Sequence, residues 1–270
     1  MFIKPNDYVG VGINYRSEIV DDIIKNMHRI DFIEINTEKL FYDTSDKLQT
    51  ITTRLPIVLH GLTLSLGSVA ETINESYLDN LSKVVGKENC LWYSDHIATT
   101  RINNVDLRTL MPSTFTQEVA ATMANKVKQL MKINTKPFLL ENITYYFSMP
   151  DSQCSELEFI AHIVEMADCG ILLDINNLYI NSINHQYDPY NFIDRLPLDR
   201  VVEVHLAGCD YINNVLVDTH ASRTKNEVLH LLQYLRKKIK IHGVIIERDD
   251  RLDNFNELMD EVALVKEIVQ

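Results

Sequence analysis

The sequence predicts an α/β protein, a single-domain TIM (β/α)8 barrel over residues 1–270. Eight short runs rich in Val, Ile and Leu alternate with longer stretches of helical periodicity, the pattern of βα units around a parallel sheet. The length of 270 residues suits the roughly 250 that one such barrel needs. No Pro/Gly/Ser-rich linker divides the chain, and no G-x-G-x-x-G follows the first run as an open dinucleotide-binding sheet would require.

Taken in order, the first run covers residues 8–14, and a helical stretch follows over 18–29. Runs two and three, 32–36 and 57–60, lead to a helical stretch over 77–85. Run four, 91–96, precedes a helix over 116–132, where Val119, Met123, Val127, Leu130 and Met131 recur near helical spacing and Lys126 and Lys128 fall on other faces. Ser113-Thr114-Phe115-Thr116 ahead of it supplies an N-cap region. Run five, 137–142, is followed by a helix over 155–167, and run six covers 171–177. Run seven, 201–205, and run eight, 244–249, are followed by helices over 226–238 and 254–269.

Composition narrows the function classes. With 46% hydrophobic and 24% charged residues, the chain is an ordinary globular one. A net charge of -12, from 38 acidic and 26 basic residues, argues against nucleic acid and anionic membrane as partners. Its one basic run, Arg236-Lys237-Lys238, suits the C-terminal end of a helix. No stretch has the length of a membrane span and the N-terminus lacks the apolar core of a signal peptide, so a cytoplasmic location is expected. Cys90, Cys154, Cys169 and Cys209 form no C-x-x-C pair, which points away from disulfides and zinc ribbons. All four read as structural thiols, although Cys209 directly follows a His-Leu-Ala-Gly sequence.

The last six runs end alike. Each carries at or near its C-terminal end a group able to bind a metal: His60, His96, Glu141, Asp174, His205 and Glu247. In a barrel the C-terminal strand ends converge on the face that carries active sites. Several carboxylates buried at one mouth are costly unless cations compensate them, so a metal cluster is the reading of the set. Asp218 and His220, from the loop after the seventh run, complete another part of it. Imidazole with carboxylate and no thiolate suits iron, manganese or zinc. Asp95, Asn142 and Asn177 stand beside ligand positions and would orient them, Asn177 also being able to supply an oxygen directly.

Seven segments occur in one order: HGLTLSLGS from His60, YSDHI from Tyr93, LLENI from Leu139, LLDINNLYINSINHQYDP from Leu172, LPLDRVVEVHLAG from Leu196, DTH from Asp218 and IERD from Ile246. Together, from about Gly10 to the last helix, they resemble the multinuclear non-heme iron-dependent oxidative enzymes, the family of the methanobactin biosynthesis iron oxidase. The resemblance implies a TIM barrel with two or three irons that uses dioxygen to rework a cysteine, or another residue, of a ribosomally made precursor peptide. It also implies a small partner protein that binds the leader of that peptide. By motif match, His60, His96 and Glu141 would hold one iron. Glu141 would bridge to a second held by Asp174, His205 and Glu247, with Asp218 and His220 at a third position. Glu141, Asp174 and His205 are expected to carry the chemistry. The chain departs from many relatives at Cys209-Asp210 and at Glu34-Ile35-Asn36, where they carry a histidine, which implies a different substrate pocket.

A divalent zinc or manganese hydrolase, or a sugar isomerase, would use a similar ligand set, and a metal-storage protein is the non-enzyme alternative. His28, His162, His230 and His242 read as surface or packing residues away from the strand ends. His185 is placed at the substrate channel or in a turn, and Tyr145, Tyr146 and Tyr179 either contact a peptide or pack in the core.

Overall fold

The computed structural model of the chain describes residues 2, 4, 5, 7–68, 73–87, 89–102 and 105–270. Its strands are β1 Gly10–Asn14, β2 Ile33–Asn36, β3 Ile57–Gly61, β4 Cys90–His96, β5 Thr99–Ile102, β6 Val105–Met111, β7 Phe138–Glu141, β8 Gly170–Asp174, β9 Val201–Leu206, β10 Cys209–Ile212, β11 Val215–Asp218 and β12 Gly243–Ile246. Eight of them close into a parallel barrel in the order β1-β12-β9-β8-β7-β4-β3-β2. The remaining four form two antiparallel hairpins, β5 with β6 and β10 with β11, inserted after the C-terminal ends of β4 and β9.

Two apolar layers hold the barrel. Inside, Phe32, Val58, Trp92, Leu139, Leu172, Val202 and Ile245 fill the floor with fully buried side chains. Outside, the alternate strand residues pack against the helices in one larger cluster that includes Val11, Ile57, Tyr93, Val204 and Val244. The helix Gln117–Leu130 begins where its cap residues predict: Thr116 Oγ1 accepts from the Val119 amide at 3.3 Å. The helix Glu156–Ala167 starts on a reciprocal box, with Ser155 and Glu158 each accepting from the other's backbone amide. Arg236, the last residue of its helix, donates to the carbonyls of Val269 and Gln270 and so caps the last helix of the chain, whereas Lys238 pairs with Asp194. No helix among the described residues is long and apolar enough to cross a membrane.

Three features depart from the sequence reading. The sixth run ends as a strand at Asp174, which caps a helix Ile175–His185 by accepting from the Asn177 amide at 2.6 Å. Helices Asp46–Arg54 and Pro189–Arg195 stand where no element is expected. The third is a pair of irregularities in the barrel. Between Ile171 paired with Val201 and Leu172 paired with Glu203, β9 carries one extra residue. Val201 and Val204 therefore face the helices, whereas Val202, Glu203 and His205 face the barrel interior. Strict alternation from Val202 would turn His205 outward; the bulge re-aims it. A similar extra residue in β4, between Cys90 and Tyr93, precedes the inward Ser94 and His96.

Candidate metal centre

The ligand atoms of the C-terminal mouth form two adjoining groups. In the first, His60 Nε2 and His96 Nε2 lie 3.2 Å apart, and Glu141 Oε2 lies 3.1 Å from the former and 3.0 Å from the latter. In the second, His205 Nδ1 lies 3.2 Å from Glu141 Oε1 and 3.2 Å from Glu247 Oε2, with a carboxylate oxygen of Asp174 within 4.8 Å of them. The two oxygens of Glu141 thus face different groups. Residues from five strands or strand ends meet here because β3, β4, β7, β8 and β9 are neighbours in the barrel, with Glu247 directly after β12.

Asp218 and His220 sit at the edge of this pair. His220 Nε2 lies 2.9 Å from Asp218 Oδ1, and its Nδ1 lies 3.4 Å from Asp249 and 3.9 Å from Glu247. No third group of three ligand atoms forms around them among the described residues. Asn177 lines the same cavity, with its amide oxygen accepting from Thr144 and its Nδ2 donating to Asn142 O at 3.1 Å. Asn142 also brackets Asp174, accepting from its amide at 3.0 Å and donating to its carbonyl at 2.9 Å. Asp95 lies 3.8 Å from His96 Nδ1 and accepts the backbone amide of His96.

The imidazoles are oriented from behind. Ser94 Oγ contacts His60 Nδ1 at 2.8 Å and Glu34 Oε2 contacts His205 Nε2 at 2.9 Å, which leaves the opposite nitrogen of each ring toward the cluster. Glu203 lies against the same floor, its Oε2 accepting from Trp92 Nε1 at 2.7 Å. Glu34, Glu203 and His205 also meet as a ligand-like group, which the sequence reading lacked.

The donor set fits a cation. Glu141 Oε2, Asp174 Oδ2 and His205 Nδ1 are buried with no hydrogen-bond partner, and orphaned buried acceptors of this kind call for a compensating charge. Without one, the cluster pays through proton exchange. Burial, with Glu141, Asp218 and Glu247 nearby, pushes the Asp174 carboxyl well above its ordinary range. Burial opposes charge on His96, yet Glu141 and Asp95 outweigh it and raise the imidazole to about 9. Burial likewise opposes charge on Glu141, and His96, His60 and His205 hold it down to about 2. The cavity over these groups encloses about 320 Å3, and Tyr15, Arg16, Thr109, Leu110 and Tyr146 also line it. Tyr146 Oη accepts from the Asp218 amide at 3.2 Å.

Other candidates fall elsewhere. His28 and His230 are exposed and His162 is half-buried on a helix, while His242 is buried against Asp7 O. His185 stacks on Tyr145 at 4.3 Å and contacts its carbonyl oxygen through Nε2, 2.9 Å away. Tyr179 packs with Ile180 beneath the second hairpin. Cys209 is buried, and burial pushes its thiol up to about 12, the behaviour of a structural cysteine. Cys154, by contrast, is only half-buried. Asp249, quoted in the last motif but not singled out there, accepts from Asn14 at 2.9 Å and from Arg16, and so ties the His220 side of the cavity to β1.

Comparison with known proteins places the chain in a family. The model of the family described as RiPP precursor modification enzyme MbnB/TglH/ChrH, where RiPP denotes a ribosomally made and then modified peptide, matches residues 10–270. The chain belongs to this family. A UPF0276 protein of Nitrosospira multiformis is 35% identical over 93% of this chain and 90% of its own length. A UPF0276 protein of Acaryochloris marina is 32% identical over 93% and 92%. Among solved structures, the D-psicose 3-epimerase of Clostridium cellulolyticum aligns with a TM-score of 0.67 at 10% identity over 97% of this chain and 99% of that one. The 3-keto-D-glucoside 4-epimerase of E. coli gives 0.64 at 14% over 96% and 99%. At such identities the likeness is one of fold, the TIM barrel.

Proposed function

We propose that this chain is a multinuclear non-heme iron, dioxygen-dependent oxidoreductase that modifies a cysteine of a ribosomally synthesised precursor peptide, aided by a small partner protein that binds the leader. The observation that carries the reading is the placement of Glu141, one oxygen toward His60 and His96 and the other toward His205. A carboxylate so placed suits two cations held side by side. The family's work on precursor peptides supports the substrate class.

In this reading His60, His96 and Glu141 would hold one iron, and Glu141, Asp174, His205 and Glu247 would hold its neighbour. Asp218 and His220, with Asn177 nearby, would serve a third position, although no third group of three ligand atoms surrounds them among the described residues. Bound iron supplies the one-electron and dioxygen chemistry that side chains cannot. The protein's own residues do the rest. Ser94 and Glu34 fix the imidazoles, and Asn142 fixes the backbone of Asp174. The cavity of about 320 Å3, with Tyr146 and Leu110 among its lining, has room for one substrate side chain.

The test is oxygen uptake by the iron-loaded protein with a cysteine-containing peptide encoded beside it. Uptake matched by a mass change on that cysteine supports the reading. An unchanged peptide, together with oxygen-independent turnover of a sugar of the kind the epimerases named above act on, would overturn it.

A further inference from the structure

The segment after β7 has a second face. Thr144 and Tyr146 line the metal cavity, whereas Tyr145 and Phe147 line a neighbouring pocket of about 300 Å3. Its walls are aromatic. Phe115 meets Tyr145 edge to face with ring centroids 5.8 Å apart, and Tyr187 lies against Phe192 at 5.9 Å. Glu156, the first residue of its helix, also lines the pocket and is only 9% exposed.

Three donors reach that carboxyl, all at the long limit. Tyr145 Oη, Tyr187 Oη and Asn181 Nδ2 each lie 3.4 Å from it. Among the described residues no cation acts on it, and the charge of Arg195 on the pocket rim bears on Glu158 instead. Burial pushes the carboxyl up to about 8 against the pull of the three donors. Glu156 and Asp188 bring two carboxyls to this pocket against the single guanidinium of Arg195 in its lining, and a buried acid whose charge no cation compensates is costly to ionise. The aromatic side chains in the pocket lining supply apolar surface along which an alkyl stem packs.

We propose that this pocket receives a lysine side chain of the peptide substrate, with its ammonium on Glu156 and its stem among Tyr145, Tyr187 and Phe192. That the lysine belongs to the peptide rests on the function proposed above; recognition of the ammonium does not. Residues 144–147 alternate between the two cavities, so a peptide lying over this segment reaches both, with its modified residue in one and its lysine in the other.

Calorimetric titration of the full chain with acetyl-lysine methylamide and with acetyl-norleucine methylamide tests the site without turnover. The lysine compound is expected to bind at least about tenfold more tightly, a difference of about 1.4 kcal/mol, and Glu156→Gln should erase the preference. Equal binding of the two compounds, or no binding of lysine at millimolar concentration, overturns the proposal. The wild-type comparison stands even where the variant fails to fold. Peptide oxidation by a protein that ignores the lysine compound sinks the pocket alone. Lysine binding by a protein that oxidises no peptide keeps the ammonium site and overturns its assigned carrier.

Discussion

Glu34 Oε2 lies 2.9 Å from His205 Nε2, on the side of the ring away from Glu141 and Glu247. With a metal on Nδ1, which faces Glu141 and Glu247, the Nε2 proton would be held by Glu34. Glu34→Gln keeps an acceptor and should bind metal nearly as well as the wild type. Glu34→Leu removes it and should weaken the second metal by roughly 10–100-fold. Metal titration of the two variants decides, and equal affinities would show that Glu34 only packs.

Glu141 is the one anion shared by both groups. Glu141→Gln keeps the volume but presents an amide donor to one of them, so metal content should fall in both and turnover should cease. Elemental analysis beside an oxygen-uptake assay checks this. Full turnover with normal metal content would remove the bridging role.

The pH dependence of folding follows from Glu156, whose carboxyl titrates at about 8 in the folded chain against an ordinary 4.5. Between those values the folded state holds more protons than the unfolded one. Stability is therefore lost as pH rises through that window, by at most about 1.4 kcal/mol per pH unit from this group. Glu156→Gln should flatten that part of the curve. Urea unfolding of metal-free wild type and variant on both sides of neutrality measures the difference, and parallel curves would contradict it.

Lys126 is 1% exposed and pins the loop that follows His60, donating to Leu66 O at 3.1 Å, Ser68 O at 2.6 Å and Ser68 Oγ at 2.8 Å. Lys126→Met keeps the stem but strands those buried acceptors, which should cost about 1–3 kcal/mol. An unchanged unfolding midpoint would show that solvent satisfies the loop.

The barrel was legible because its strands bury apolar residues on the helix side in short runs separated by helical periodicity. The six strand-end groups that meet at the barrel mouth were legible for the same reason: each breaks an apolar run with a group that needs a polar partner. Glu34 was not. In Ile33-Glu34-Ile35-Asn36 the alternation reads as a strand with one wet face, and only barrel closure turns that face inward onto His205. Glu203 was hidden differently, since a bulge with no residue signature in the apolar run from Val201 aims it inward. The helix from Ile175 was masked by its apolar start, where Asp174 serves as both ligand candidate and cap. Cys209 drew attention by its place after His-Leu-Ala-Gly, yet it packs with Ile180 and Leu216.

Metal content of anaerobically purified protein, with Mössbauer spectroscopy to assign any iron, tests the central claim most directly. Two to three irons per chain, part of them magnetically coupled across Glu141, is the result this account predicts. Full occupancy by zinc or manganese, with activity indifferent to the exclusion of oxygen, would contradict it.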